Sequence, residues 1–582
     1  MKKSKSFIVI GISISLCFFL VVSAVTVLTA KSFSEKFIKN FTAPESYEEI
    51  YPLVKKIAKK NDYTAFNYIT DIATGGMFAK QEIVLTDDYA AETDTSAHSE
   101  TTVQVDGVDE ADVVKTDGKY IYKLSTSDSM LKIIKSGKEP RLESKINVSL
   151  KDYNLKNEMY LYEKFIILTY SGYVDSESTF VSVYDVSNTK EPKKLFEYRQ
   201  KGSYNTSRMI NDNLYLITDY QVFNDNIIKS NPLTYTPSIE CKNFNGALNA
   251  NDIKIYEDCN YPVYTVICGY DITNGKLVGT KAVMCDTYTV YCSTENIIIA
   301  AIEDDYNETV LLRYAISEGE IEYKAEGKIK GSLLNQFSID EYKGNFRFVT
   351  TSLEENIVGG GFARSVSSYE SNLVHVLNGD LKTIGLIEDV APNERVYSVR
   401  FMGDIAYFVT FRQVDPLFSV DLSNPENPKI IGALKIPGFS DYLFPFGEGK
   451  LFGIGQDADE KTGRVGNVKI SMFNTLDPKN VTEESKKILL DYDSQALFSH
   501  KATFISDDKN LIGFPTSDFD NQKYVIFSYV NNEFVKRAEV ILGSDYNAVR
   551  GLFIGNEFYV ISEYSLIVYN INDFSKICEL SI

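Results

Sequence analysis

DNLYLITDY, at residues 212–220, is the stretch that decides the fold. Asp212 and Asn213 are turn formers, because their short polar side chains bond to nearby backbone. Behind them Leu214, Tyr215, Leu216, Ile217 and Thr218 form a run that is too short for a helix and suits a strand buried on both faces. Eight further stretches read the same way: GKYIYKLS from 118, KFIILTYSG from 164, NIIIAAIED from 296, NFRFVTTS from 345, DIAYFVTFR from 404, GKLFGIGQD from 449, NLIGFPTSD from 510 and NEFYVISEY from 556. Each is followed by a second run, such as FVSVYDVSN from 180, VYTVICGYDIT from 263, PLFSVDLSN from 416 or LIVYNINDF from 566.

The period is about 46–60 residues, stretched to 84 after the third unit by an insertion at about 222–262. A unit of four strands leaves both sheet faces apolar, so it must stack on its neighbours. Closing the stack into a ring hides those faces and leaves only short edges, which is a β-propeller. The absence of long 3.6-period segments after residue 110 excludes a helical solenoid. Nine units are visible, and propellers usually have ~4–8 blades. A degenerate or shared unit would leave eight, so the expectation is an all-β fold of eight or nine four-stranded blades over 105–582.

Composition agrees with strands. The 582 residues include 39 Tyr and 35 Phe, with no Trp. A net charge of −20 argues against nucleic-acid binding, which needs clustered cations to displace counterions from phosphates. Three His leave little room for multi-His metal sites or several general bases.

The ring is preceded by three other segments. From Phe7 to Ala30 no residue is charged, and Lys2, Lys3 and Lys5 stand before the run. Twenty-four residues at ~1.5 Å each can cross a ~30 Å hydrocarbon core. Residues 1–30 therefore read as an uncleaved signal anchor that reaches the membrane through 7–30, with the rest of the chain outside the cell membrane. The alternative is a secreted protein cleaved after Ala24 or Ala30. Residues 31–85 read as a short helical segment, since Tyr47, Ile50, Leu53, Val54 and Ile57 recur at helical spacing behind Thr42-Ala43-Pro44-Glu45, with Pro52 inside the pattern. Residues 86–104 read as an acidic linker that contains His98.

The stretch Val105-Asp-Gly-Val-Asp-Glu-Ala-Asp-Val-Val-Lys-Thr-Asp-Gly-Lys-Tyr-Ile-Tyr122 resembles the signature that opens the propeller in a prokaryotic family of secreted or membrane-anchored proteins. That family carries a C-terminal β-propeller distantly related to WD-40 repeats. The resemblance covers roughly residues 40–582. It implies fold and location and carries over no activity.

Little chemistry is visible. No G-x-S-x-G elbow occurs. His375 reads as a packed strand residue, and His500 lies in a first-strand position near Asp491 and Asp493. Asp271-Ile-Thr-Asn-Gly-Lys276 resembles a quinoprotein propeller repeat, but Gly279 stands where that repeat has Trp, so Asn274-Gly275 reads as a hairpin turn. Gly359 to Gly361 form a loop with no phosphate-binding sequel. The acids Asp106, Asp109, Glu110 and Asp112 remain. They are either carboxylates capping backbone N–H groups where the chain enters the ring, or ligands for a hard cation such as Ca²⁺. Of the six Cys outside the membrane run, Cys241 and Cys259 are placed to close the insertion by a disulfide, with buried free thiols as the equal alternative.

The expected function is a binding or scaffold module at the cell envelope, with a protein or envelope ligand as partner. The alternative is an envelope hydrolase or lyase using carboxylates and Tyr at the propeller channel.

Overall fold

DNLYLITDY forms the strand Asn213–Gln221, and each of the other eight stretches forms a strand in the corresponding place. In this computed structural model they assemble into nine sheets, antiparallel but for one strand added to the third, that close into one ring, so the propeller has nine blades. The structure describes residues 41–60, 98–99 and 103–582, apart from short stretches at 149–156, 174–175, 304–306, 359–364, 412–414, 460–461 and 544–546. The run 7–30, most of the acidic linker and Gly359–Gly361 lie outside the described residues. Among those described, no helix is long and apolar enough to cross a membrane.

The blades occupy 114–147, 158–201, 203–284, 287–330, 332–390, 395–436, 439–488, 493–543 and 550–581. In each, strands follow one another outward from the axis. The two middle strands are buried on both faces, as in Asn296–Ile302, while the outermost strand is half exposed. One irregularity repeats in all nine blades: the register slips by one residue between the third and fourth strands, at Ile133/Ile134, Val183/Tyr184, Gly269/Tyr270, Arg313/Tyr314 and their counterparts. A bulge of this kind raises local twist, which a blade needs to splay its outer strand from the axis.

Neighbouring blades meet backbone to backbone where the sequence provides glycine. A Cβ on Gly279 would come within 2.6 Å of the Gly319 carbonyl oxygen in the fourth blade's outer turn. That accounts for the residue found in place of the quinoprotein Trp: the next blade's turn fills the space. The Asn274-Gly275 turn is present, with Gly275 alone at positive φ (+68°) and Asn274 held by Asp271.

The first and ninth sheets are each built from four consecutive strands, so among the described residues no exchanged strand closes the ring. The first and ninth blades join through Val114, Ile121 and Ile134 packed with Leu552, Tyr559, Leu566 and Val568. A buried ion pair lies beside this cluster, with Lys123 Nζ 2.9 Å from Glu563 Oε2 and both side chains about 1% exposed. Burial pushes the Glu563 carboxyl up, but Lys123, Ser125 Oγ–H and the Ser127 N–H outweigh it and hold its pKa down at about 2.

The insertion in the third blade is structured. Its hairpin Ser238–Cys241/Phe244–Ala247 extends the second blade outward, and Ile253–Tyr256 pairs in parallel with the outer strand of the third. Phe41–Thr42 then pairs with Ile253–Tyr256, and helix α1, Tyr47–Lys60, docks on the insertion. Ile50, Val54 and Ile57 form its buried face, Tyr47 Oη donates to the Leu248 carbonyl, and Tyr51 meets Tyr235 edge to face. Pro52 is accommodated on the exposed side. The Cys241–Cys259 disulfide is not made, and both are free thiols. Cys241 lies on the added hairpin with its thiol on Asn243, whereas Cys259 is buried in the turn after Ile253–Tyr256, its N–H on the Tyr256 carbonyl. Cys285 and Cys292 are also buried thiols, pushed up to about 12 by desolvation.

Candidate functional site at the ring axis

Inner strands of a propeller are sheet edges, with N–H and C=O groups left unpaired toward the axis. Here the chain satisfies several of them with its own lead-in segment. Ser99 N–H donates to the Phe553 carbonyl and His98 bridges Ile554, both on the ninth blade's inner strand. His98 thus sits in the ring and not in a linker. After a turn at Val105–Val108, Asp109 exchanges two backbone bonds with Met209 of the third blade (2.8 and 3.0 Å). Asp112 does the same with Met159 of the second (3.0 and 2.9 Å). Val114–Thr116 then becomes the inner strand of the first blade.

Two inner strands are interrupted by turns that reach the same place. In the fifth blade a 3₁₀ turn at Gln336–Ser338 is capped by Asn335 Oδ1. In the eighth, two turns at Gln495–Leu497 and His500–Ala502 stand between the Asp493–Ser517 bridge and Phe504–Ser506, the first capped by Ser494 Oγ. Gln336, His500 and Lys501 are all buried.

The acidic motif meets these groups at the axis. Asp112 takes Arg550 of the ninth blade bidentately, with Nε at 3.0 and 2.9 Å and Nη2 at 2.8 Å. Burial acts to raise the Asp112 pKa, and Arg550, Lys501 and the Val113 N–H together bring it below its usual value. Glu110 is buried with Arg208 at 3.8 Å and His500 Nε2 at 3.6 Å, and its Oε1 accepts from the Gln104 N–H. Asp109 pairs with Lys115 at 2.8 Å. Lys501 crosses from the eighth blade to Glu158 of the second at 2.7 Å. Burial disfavours its charge, but Glu158, Glu110 and Asp112 raise its pKa. Gln336 links both sides: its carbonyl accepts from Gln104 Nε2 and its Oε1 from Arg208. Four cations, Lys115, Arg208, Lys501 and Arg550, thus face four carboxylates, Asp109, Glu110, Asp112 and Glu158.

The structure therefore brings Asp109, Glu110 and Asp112 to one region but aims each at its own cation. Asp106 stands apart, exposed. Among the described residues no group of three or more His, Cys, Asp or Glu side chains is placed to hold a metal ion. Two backbone donors reach the motif's carboxylates, the Gln104 N–H on Glu110 Oε1 and the Val113 N–H on Asp112 Oδ1, and side-chain cations supply the other partners. His375 is a strand residue, bonded to Thr350 and the Lys330 carbonyl, and burial lowers its pKa to about 4.

Beside Asp106 a cleft of about 340 Å³ opens among Tyr291, Glu295, Glu341, Tyr342 and Lys343. Its groups are largely engaged. Tyr291 Oη accepts from the Glu341 N–H, the Glu341 carboxylate accepts from Ser293 and Asn296, and Lys343 pairs with Asp404.

Sequence reasoning missed Arg208, Lys501 and Arg550 as partners of the motif. The available signal was the cation that opens the apolar strand Arg550–Ile554, and Asn335 or Ser494 as turn caps where a strand was expected.

These features define a nine-bladed propeller whose channel is filled by its own chain. Residues 98–574 match the family model described as Beta propeller domain, and the chain belongs to that family. Two curated relatives are similar along nearly the whole length. An uncharacterised protein of Archaeoglobus fulgidus is 27% identical with 94% of both chains covered. One of Methanocaldococcus jannaschii is 28% identical with 84% of this chain and 85% of the relative covered. Among solved structures, BamB from Moraxella catarrhalis superposes with a TM-score of 0.34 at 9% identity, covering 55% of this chain and 82% of that one. The C-terminal WD40 domain of Sif2 gives 0.35 at 12%, covering 68% and 89%. At these scores neither bears on function.

Proposed function

We propose that this protein is a binding or scaffold module of the cell envelope, anchored through residues 7–30 with its ring outside the membrane, and that it engages protein partners by the outer surfaces of the ring. The observation that supports this reading most is the filled axis. The carboxylates where a channel enzyme would keep its acid and base, Glu110 and Asp112 buried and Asp109 and Glu158 partly so, face four cations and are unsuited to proton transfer. The fold itself is compatible with many roles. The test is affinity capture from envelope extracts with the detergent-solubilised full chain, alongside protease treatment of intact cells. Specific capture, with the ring degraded from outside, supports the reading. A ring shielded from external protease and no retained partner would overturn it.

A second reading, an envelope hydrolase or lyase, is favoured by the cleft beside Asp106, where Glu295 and Tyr342 face a volume able to take a small ligand. A search for turnover with envelope glycans and peptides, with Glu295→Gln as control, tests it.

A further inference from the structure

One ring face carries a bare apolar patch at the junction of the seventh and eighth blades. Leu490 is 94% exposed, Phe519 86%, Ile541 65% and Tyr492 39%. Leu490 and Tyr492 belong to the connection that leaves the outer strand Thr482–Ile488, and Phe519 to the loop between Leu511–Ser517 and Gln522–Val530. Ile541 stands opposite Lys523 near the end of Glu533–Gly543. These strand ends lie on the same side of the ring. The Tyr492 and Phe519 rings stack, with centroids 4.7 Å apart and planes at 28°. The stack is not loose: the Asp493 carbonyl accepts from the Ser517 N–H, and Lys523 ties Asp491 (2.9 Å) to Asp518 (2.6 Å) beneath it. Large apolar side chains held bare on a tied frame mark an interaction surface.

The charge around the patch selects the partner. Exposed Asp520 and half-buried Asp493 and Asp518 adjoin the apolar residues in the chain, and Lys523 bonds Asp518 and the buried Asp491. The chain as a whole carries −20. Such a rim steers cationic partners and repels an anionic lipid surface. Leu490 and Ile541 beside the rings favour aliphatic side chains over a glycan, which would use ring faces alone.

Resting on the binding-module reading, we infer that Leu490, Tyr492, Phe519 and Ile541 form the docking site for a Lys- or Arg-bearing apolar segment of another protein. The complex places the partner's aliphatic side chains on the Tyr492–Phe519 stack and its cations against Asp518 and Asp520.

The test uses the detergent-solubilised full chain and three probes: a fourteen-residue Leu/Lys amphipathic peptide, its Leu/Glu counterpart and phosphatidylglycerol vesicles. The expected result is saturable binding of the Leu/Lys peptide alone, weakened at least tenfold in the double variant Leu490→Ser/Phe519→Ser and weakened by salt. Both positions are exposed, so the variant should melt like the parent, and Asp520→Asn serves as a milder second variant with a smaller loss. No binding of the Leu/Lys peptide, or equal binding by parent and double variant, overturns the proposal. Vesicle binding lost in the variant would assign the patch to lipid, and a dimer lost in the variant would assign it to a second copy. Either also overturns it. Envelope capture separates this from the broader reading: partners retained equally by the double variant sink the patch alone, whereas none retained by the parent sinks both.

Discussion

Asp112 and Arg550 lie 438 residues apart in the sequence and share a bidentate ion pair at the axis of the ring. The pair joins the lead-in segment to the inner strand of the last blade. Asp112 also exchanges backbone bonds with Met159, so the same residue touches the second blade. Asp112 therefore ties the ninth blade by its side chain and the second by its backbone, spanning the first blade between them.

Replacing Arg550 with Met should leave Asp112 buried without its cation. Removing one partner of a buried pair costs about 3–5 kcal/mol. Denaturant unfolding should show a loss of that order for Arg550→Met, and Asp112→Leu/Arg550→Met should recover at least half of it. A double-variant loss no smaller than that of Arg550→Met alone would mean that the stranded Asp112 charge is not the source of the cost.

Acid should weaken the closure. Glu563 is held down at about 2 and Asp112 below its usual value in the folded ring. Unfolded carboxylates titrate near ~4. Their contribution is therefore fully present above about pH 5 and is lost as the pH falls through ~4 toward ~2. Melting temperature should be flat from pH 7 to about 5 and fall below that. In Lys123→Met/Glu563→Gln the fall should be shallower.

Calcium should not matter to the motif. Asp109 and Asp112 are occupied by Lys115 and Arg550, so Asp109→Asn/Asp112→Asn should lower the melting point equally with Ca²⁺ or chelator present. A loss confined to the calcium-loaded protein would show that the cation was a ligand after all.

Removing residues 559–582 should unfold the ring as a whole, because Val114, Ile121 and Ile134 of the first blade then lose their cover. An open stack would lose only its last unit. Circular dichroism and calorimetry on the truncated chain distinguish the two.

The middle strands were legible because burial on both faces writes itself as a continuous apolar run, as in NIIIAAIED. Helix α1 was legible for the same kind of reason, through one apolar stripe. The inner strands were not. Val114–Thr116 and Phe504–Ser506 have three residues each, too few to show a period, and their cover comes from the last blade: Leu552 and Ile554 on Val114, Phe553 and Phe558 on Phe504. The insertion at 222–262 was visible only as extra length, since Ser238–Cys241 and Ile253–Tyr256 gain their partners from blade edges that local sequence does not describe. At the axis the acids were conspicuous and their cations were not, because Arg208, Lys501 and Arg550 occur singly in unrelated contexts. The difference mattered chemically: acids in isolation suggest a metal, and acids facing cations make a clasp.

The lead-in segment is part of the folded core and seals the axis. Hydrogen exchange read by mass spectrometry on peptides spanning 103–117 of the full chain tests it most directly. The Asp109 and Asp112 amides should be protected as strongly as Met159 and Met209, and open only with the whole ring. Exchange of 103–112 within seconds, while Met159 and Met209 stay protected, would contradict it.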